Sequence, residues 1–272
     1  MPLFPGNDPG SSFSDFLRAS QQPSPLAPAA LPSHHASVTG PEGLSSWTQV
    51  PHGTTILALC FNGGALVAGD RMATEGYQVA DRRIEKVFKA DDYSAIAIAG
   101  AAGPCVELAR LFRVELEHYE KLEGAQLSLE GKANKLAQMV RANLPFAMQG
   151  LIVLPLFAGF DFQRGQGRIF KYDVAGGRYE EADYHATGSG GKDARTTMKK
   201  LYRPGLDRDA ALAIALEALY DAAEEDVATA GPDMVRNIFP TVKVIGQTGL
   251  TDIDEDAIRA TMTRLIEQRR RG

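Results

Sequence analysis

Cysteine is nearly absent from this chain. Two in 272 residues, Cys60 and Cys105, exclude a disulfide scaffold and a zinc cage built from thiolates. Both read as small core residues in a reducing, cytoplasmic setting. Histidine is scarce as well. His34, His35 and His52 fall near the N-terminus, and His118 and His185 are not at ligand spacing, so no metal and no cofactor is expected. No apolar run approaches the ~18 residues that cross a bilayer. No Lys/Arg cluster precedes an apolar stretch at the N-terminus, so a secretory signal is not expected either. Positive charge is not in excess. Lys plus Arg is 29 against 34 for Asp plus Glu, a formal charge of −5, which is not the footprint of a nucleic-acid binder. The basic run Arg269–Arg271 reads as a solvated helix end.

What is present changes character near residue 53. Residues 1–53 hold nine of the 15 prolines and nine serines, with one Arg and no Lys. Such a segment buries too little apolar surface to offset the entropy of ordering it. Two readings stand: a disordered tail, or a removable pro-segment ahead of a folded domain spanning 54–272. Phe13, Phe16 and Leu17 have the spacing of one short amphipathic turn that could dock on a partner.

From Thr54 onward the pattern is that of strands. Thr54–Phe61 and Ala65–Asp70 flank Asn62-Gly63, a strong hairpin turn. Lys86–Lys89 and Ser94–Ala99 form a second pair. Helices are predicted from Pro104 to Leu122 and from Ser128, a plausible N-cap, through Leu144, with Pro145 as a kink or stop and Gly150 suiting its end. Strands return at Leu151–Phe160, Arg168–Val174 and Tyr179–Thr187. A helix follows over Ala194–Leu201, capped by Asp193, then one over Asp209–Asp226. Thr241–Ile245 is a strand and Asp254–Arg269 a final helix. Strands come in hairpins and helices in pairs, unlike the alternation of a parallel sheet. The order predicts an α+β fold, a four-layer αββα sandwich of two stacked antiparallel sheets.

Several positions could carry chemistry. Thr54 follows Gly53 at the junction between the pro-segment and the core. If the Gly53–Thr54 bond is cut, the Thr54 hydroxyl sits beside its own α-amine. That amine has an ordinary pKa of about 7.7–8.0, close to neutral pH, and threonine with an N-terminal amine is a nucleophile–base pair. Asp70, in Gly69-Asp70-Arg71, is either a strand-end turn residue or an acid beside that strand. Lys86 opens a strand and is either solvent-facing or part of a site. Ile98-Ala99-Gly100-Ala101-Ala102-Gly103 offers exposed N–H groups between strand and helix, or else only tight packing. Thr187-Gly188-Ser189-Gly190-Gly191 lacks the Gly-Lys-Ser/Thr ending of a phosphate loop.

Together these segments resemble a known family. Thr54-Thr55-Ile56, Gly69-Asp70-Arg71, Lys86-Val87, Ile98-Ala99-Gly100, Gly188-Ser189-Gly190-Gly191 and Asp226-x-x-Thr229 occur in the order seen in proteasome β-subunits. The stretch Glu115–Gly124, Met198-Lys199-Lys200-Leu201-Tyr202 and Ile238-Phe239-Pro240-Thr241 look like the actinobacterial branch. The resemblance implies an N-terminal-nucleophile hydrolase fold and a threonine-type endopeptidase that processes itself at Gly53-Thr54. It implies Thr54 as nucleophile, Asp70 and Lys86 as a buried ion pair, and the Gly100 N–H as oxyanion donor. Ser189, Asp226 and Thr229 match supporting residues, and Ala230 stands where a second Gly is usual. The implied specificity pocket is formed by Ala73, Thr74, Ile84, Phe88, Ile98, Ala102 and Val106, which suits an apolar side chain. Implied partners are proteasome α-subunits, other β-subunits in heptameric rings of a four-ring barrel, a regulatory ATPase ring and unfolded protein substrates. The alternatives are a smaller heat-shock ring peptidase, a catalytically silent ring subunit and a small-molecule amidase of the same fold. Thr54, Asp70 and Lys86 together speak against silence. The 53 leader residues speak against the smaller peptidase.

Overall fold

The computed structural model describes residues 54–75 and 78–271. Residues 1–53, with the expected pro-segment, Gly53 and the Phe13/Phe16/Leu17 stripe, therefore lie outside the described residues.

Twelve strands are found among the described residues. One sheet has the order β10-β1-β2-β11-β12, from Tyr184–Gly188, Thr55–Phe61, Gly64–Gly69, Thr241–Gly246 and Gly249–Asp252. The other has the order β5-β6-β7-β8-β9, from Val87–Asp91, Ser94–Gly100, Val153–Asp161, Gln166–Tyr172 and Arg178–Glu181. A small hairpin pairs β3 (Ala73–Glu75) with β4 (Gln78–Asp81). All neighbours are antiparallel. Helices α1 (Ala102–Glu123), α2 (Leu129–Ala142) and the short α3 (Leu144–Ala147) follow β6. Helices α4 (Gly191–Leu201) and α5 (Arg208–Glu225) follow β10, and α6 (Glu255–Arg271) ends the chain.

Three apolar layers bind these parts together. In β1, Leu57 and Leu59 face α4 and α5, while Ile56 and Ala58 face the other sheet. Successive side chains point to opposite faces of a strand. Both faces of β1 are covered, so it reads as a continuous apolar run rather than an alternation. On the outer side of the second sheet, Phe157 packs edge-on against Phe112 of α1, with ring centroids 5.6 Å apart, and stacks on Phe170 at 6.1 Å. Removing a buried ring of this kind costs about 3–5 kcal/mol. The layer between the sheets is different. It is rich in alanine: Ala58, Ala65, Ala95, Ala97, Ala99 and Ala158 are all buried there. The sheets approach so closely that a Cβ on Gly167 would lie 2.3 Å from the Gly64 carbonyl carbon. Four layers, αββα, agree with the order of hairpins and helix pairs.

Several boundaries differ from the sequence expectations. Tyr179–Thr187 is not one strand. It divides into β9 and β10, which belong to different sheets and pair with β8 and β1. The chain crosses between the sheets here with no glycine or proline to mark the crossing. Asp193 is not the cap of α4. That helix starts at Gly191 with Gly190 as N-cap, and Asp193 sits in its first turn, where an acid suits the helix dipole. Ser128 does cap α2, its hydroxyl accepting the Gly131 N–H at 3.1 Å. Pro145 lies at the start of α3, just past the end of α2. In the β1–β2 turn, Gly63 takes φ +102°, a left-handed value that favours glycine.

Candidate active site

Strand register places the first group. β1 and β2 pair so that Ile56 lies opposite Gly69. Thr54, one residue ahead of β1, and Asp70, one residue past β2, are thereby brought to the same end of the sheet. The Thr55 N–H donates to Asp70 Oδ1 at 2.8 Å, and the Asp70 N–H donates to the Thr55 carbonyl at 3.1 Å. Lys86 reaches in from just ahead of β5, at the edge of the other sheet. Its Nζ lies 2.7 Å from Asp70 Oδ1, and the two side chains are 5% and 0% exposed. The second carboxylate oxygen accepts the Met72 N–H at 3.0 Å and the Ala230 N–H at 3.1 Å. A buried carboxylate is tolerated when paired and saturated in this way. Ala230 fills the glycine position of the motif without strain, since Asn237 is the only described non-glycine residue at positive φ. Burial pushes the Lys86 ammonium below the ordinary lysine range, against the opposing pull of Asp70.

The second group comes from β10 and the end of α5. The Thr54 carbonyl accepts the Ser189 N–H at 2.9 Å. The Thr54 N–H donates to Ser189 Oγ at 3.3 Å. Ser189 Oγ donates to Asp226 Oδ2 at 2.5 Å, and Thr229 Oγ1 donates to the same oxygen at 2.5 Å. Asp226 is the C-cap of α5, its own N–H donating to the Ala222 carbonyl at 2.9 Å.

A cavity of about 130 Å³ opens beside Thr54. Ala73 and Thr74 of β3 line it, with Ile84 and Phe88 from around β5. Ile98 and Gly100 of β6 and Ala102 and Val106 of α1 complete the wall. All seven residues named for a pocket therefore share one cavity with Thr54 and Lys86. Gly100 takes φ +131°, and a Cβ there would lie 2.0 Å from the Ile152 carbonyl oxygen. Gly100→Ala is therefore expected to distort the β6–α1 corner. A drop in thermal midpoint and a loss of activity should appear together, and unchanged values of both would refute this.

Sequence reasoning missed four contributors. Ala80, Glu85 and Cys105 also line the cavity. Glu85 Oε1 is buried without a hydrogen-bond partner. Burial pushes the Cys105 thiol up to about 12, so it is no thiolate at neutral pH. The fourth is the Thr55 hydroxyl, which reads as one more apolar-strand threonine until the loop over it is seen. Among the described residues no cluster of His, Cys, Asp and Glu could hold a metal ion. No helix among them is long and apolar enough to cross a membrane.

Two face-to-face antiparallel sheets between helix layers, with a threonine heading an inner strand, place the molecule in the N-terminal-nucleophile hydrolase class. Comparison with known proteins narrows this. A family model described as "Proteasome subunit" matches residues 50–236, and the chain belongs to that family. It is similar to a proteasome subunit beta of Acidimicrobium ferrooxidans, 58% identical over 94% of this chain and 89% of the relative. A proteasome subunit beta of Streptomyces griseus is 53% identical over 98% of this chain and 92% of the relative. One of Frankia casuarinae is 50% identical over 95% and 90%.

Proposed function

We propose that the chain is a threonine-type endopeptidase subunit of a proteasome core, with Thr54 as nucleophile. One observation carries this reading most. Thr54 shares a cavity wall with Lys86, which is paired with the buried Asp70, while the Thr54 nitrogen is bonded to Ser189.

Residues 1–53 act as a pro-segment. The Thr54 hydroxyl attacks the Gly53 carbonyl carbon, the Gly53–Thr54 amide bond breaks, and the nitrogen takes a proton to become a free amine. Water then hydrolyses the resulting ester and releases the leader with a new carboxylate. In the processed enzyme that amine accepts the hydroxyl proton as Thr54 attacks a substrate carbonyl. The Gly100 N–H stabilises the oxyanion. The amine passes its proton to the leaving nitrogen, and water hydrolyses the acyl-threonine ester. The Lys86 charge favours the neutral, basic form of the amine. Ser189, Asp226 and Thr229 orient it. The subunit works in the cytoplasm beside other β-type chains and α-type partners, fed with unfolded protein by a regulatory ATPase ring. The Phe13/Phe16/Leu17 stripe assists assembly before the leader is removed.

The cavity predicts the substrate. Its walls are mainly apolar, so a charged side chain would be desolvated without a partner. Peptides with Leu or Tyr on the acyl side are expected to be cut roughly 10-fold or more faster than those with Arg. Peptides with Glu on the acyl side are expected to be slow for the same reason. The test combines the mass of the purified chain with fluorogenic peptides of each type. A mass showing residues 1–53 still attached to active enzyme, or fastest turnover of Arg or Glu peptides, would overturn the reading.

A further inference from the structure

We infer that Thr55 is a positioning residue that holds the Thr54 nitrogen in place through Thr229, Asp226 and Ser189, an inference that rests on Thr54 being the nucleophile. Thr55 is fully buried, and its N–H, carbonyl and hydroxyl are all engaged. Its N–H donates to Asp70 Oδ1, the oxygen that also receives Lys86 Nζ. Its hydroxyl accepts the Gly190 N–H at 3.0 Å and lies 2.6 Å from Thr229 Oγ1.

The direction of every hydrogen in this chain follows from its ends. A carboxylate only accepts, so the Thr229 hydroxyl gives its hydrogen to Asp226 Oδ2. Thr229 then has no hydrogen left for Thr55, and Thr55 must donate to Thr229. The backbone N–H of Gly190 fixes the start of the chain and Asp226 its end. Ser189 spends its own hydrogen on the same Asp226 oxygen, which leaves a lone pair facing the Thr54 nitrogen. Loss of the Thr55 hydroxyl frees Thr229 to turn, and Asp226 loses one of its two aligned hydroxyl donors. The loop gives no slack. A Cβ on Gly190 would lie 2.6 Å from Thr55 Oγ1 and 2.9 Å from Thr229 Oγ1. An ordinary core threonine would be replaceable by valine. This one joins the Asp70–Lys86 half of the site to the Asp226–Ser189 half.

The test uses the full-length chain in its assembled, processed form. Titratable groups around Thr54 are Lys86, Asp70, Asp226, Glu85 and Cys105, and all stay unchanged in the variants. Thr55→Val keeps the shape and removes the hydroxyl. Its kcat on a Leu peptide should fall roughly 10- to 100-fold, the range for a misplaced reacting group, with KM within about 2-fold of wild type. A loosened Ser189 contact favours the protonated amine less, so the acidic limb of the pH–rate profile should move to lower pH. Thr55→Ser should restore both. If Thr55→Val does not assemble, Thr229→Val cuts the same chain at its next link and should give the same shift. Wild-type kcat and limb in whichever variant assembles would overturn the proposal. So would a loss with an unmoved limb that Thr55→Ser does not repair. If Thr54→Ala still hydrolyses peptides, the reading of the nucleophile fails instead, and the two failures are distinguishable.

Discussion

Thr54→Ala is expected to abolish peptide hydrolysis, by on the order of 10⁴-fold or more, without unfolding the protein. The substitution removes the hydroxyl and leaves the backbone contacts untouched. Ser189 still donates its N–H to the residue 54 carbonyl, and Thr55 still reaches Asp70. The variant should also keep residues 1–53, since in the proposed mechanism the same hydroxyl releases them. Mass, sedimentation and turnover on one preparation check all three outcomes. Turnover near wild type in assembled Thr54→Ala protein would remove Thr54 from the mechanism.

Lys86→Ala is expected to be nearly as severe for activity and worse for stability. Asp70 keeps its three backbone donors but loses the ammonium that lies 2.7 Å away. Breaking a buried pair by deleting one partner costs about 3–5 kcal/mol, because a charge is left uncompensated. The wild-type profile should lose activity at high pH as Lys86 deprotonates, below the usual lysine range because burial lowers its pKa. Between that lowered value and 10.5 the unfolded chain binds more protons than the folded one, so wild-type stability rises with pH across the window. Lys86→Ala should lack both the basic limb and this rise. Normal turnover with an unchanged basic limb would make Lys86 a structural residue only.

Much of the fold was readable because it rests on local signals. Apolar strands broken by Asn62-Gly63, the Ser128 cap and the Ala/Leu/Glu run of α5 each carry their own chemistry. The β3–β4 hairpin escaped notice because the outer strand is exposed along its length and shows no alternation. The β9–β10 crossing escaped because Ala182 and Asp183 bring no glycine or proline to break the run, and only partners far away decide which sheet receives each half. The site divides in the same way. Thr54, Asp70, Lys86, Gly100 and Ser189 sit in recognisable short motifs. The role of the Thr55 hydroxyl is hidden, because its partners Gly190 and Thr229 lie 135 and 174 residues away in sequence. Glu85 and Cys105 adjoin Ile84, Lys86 and Val106 in sequence, and only the fold shows that they line the same cavity.

The alanine layer between the sheets has a mechanical meaning. Thr54 and Asp70 belong to one sheet, while Lys86 and Gly100 belong to the other, so the site straddles the seam. Small side chains make that seam thin, and a thin seam has little room to breathe. The gap between Thr54 and Gly100 is thus gauged by methyl groups placed well away from either. An added methylene at Ala97 or Ala158 would act as a shim, and the alignment of the two halves would suffer before the fold did.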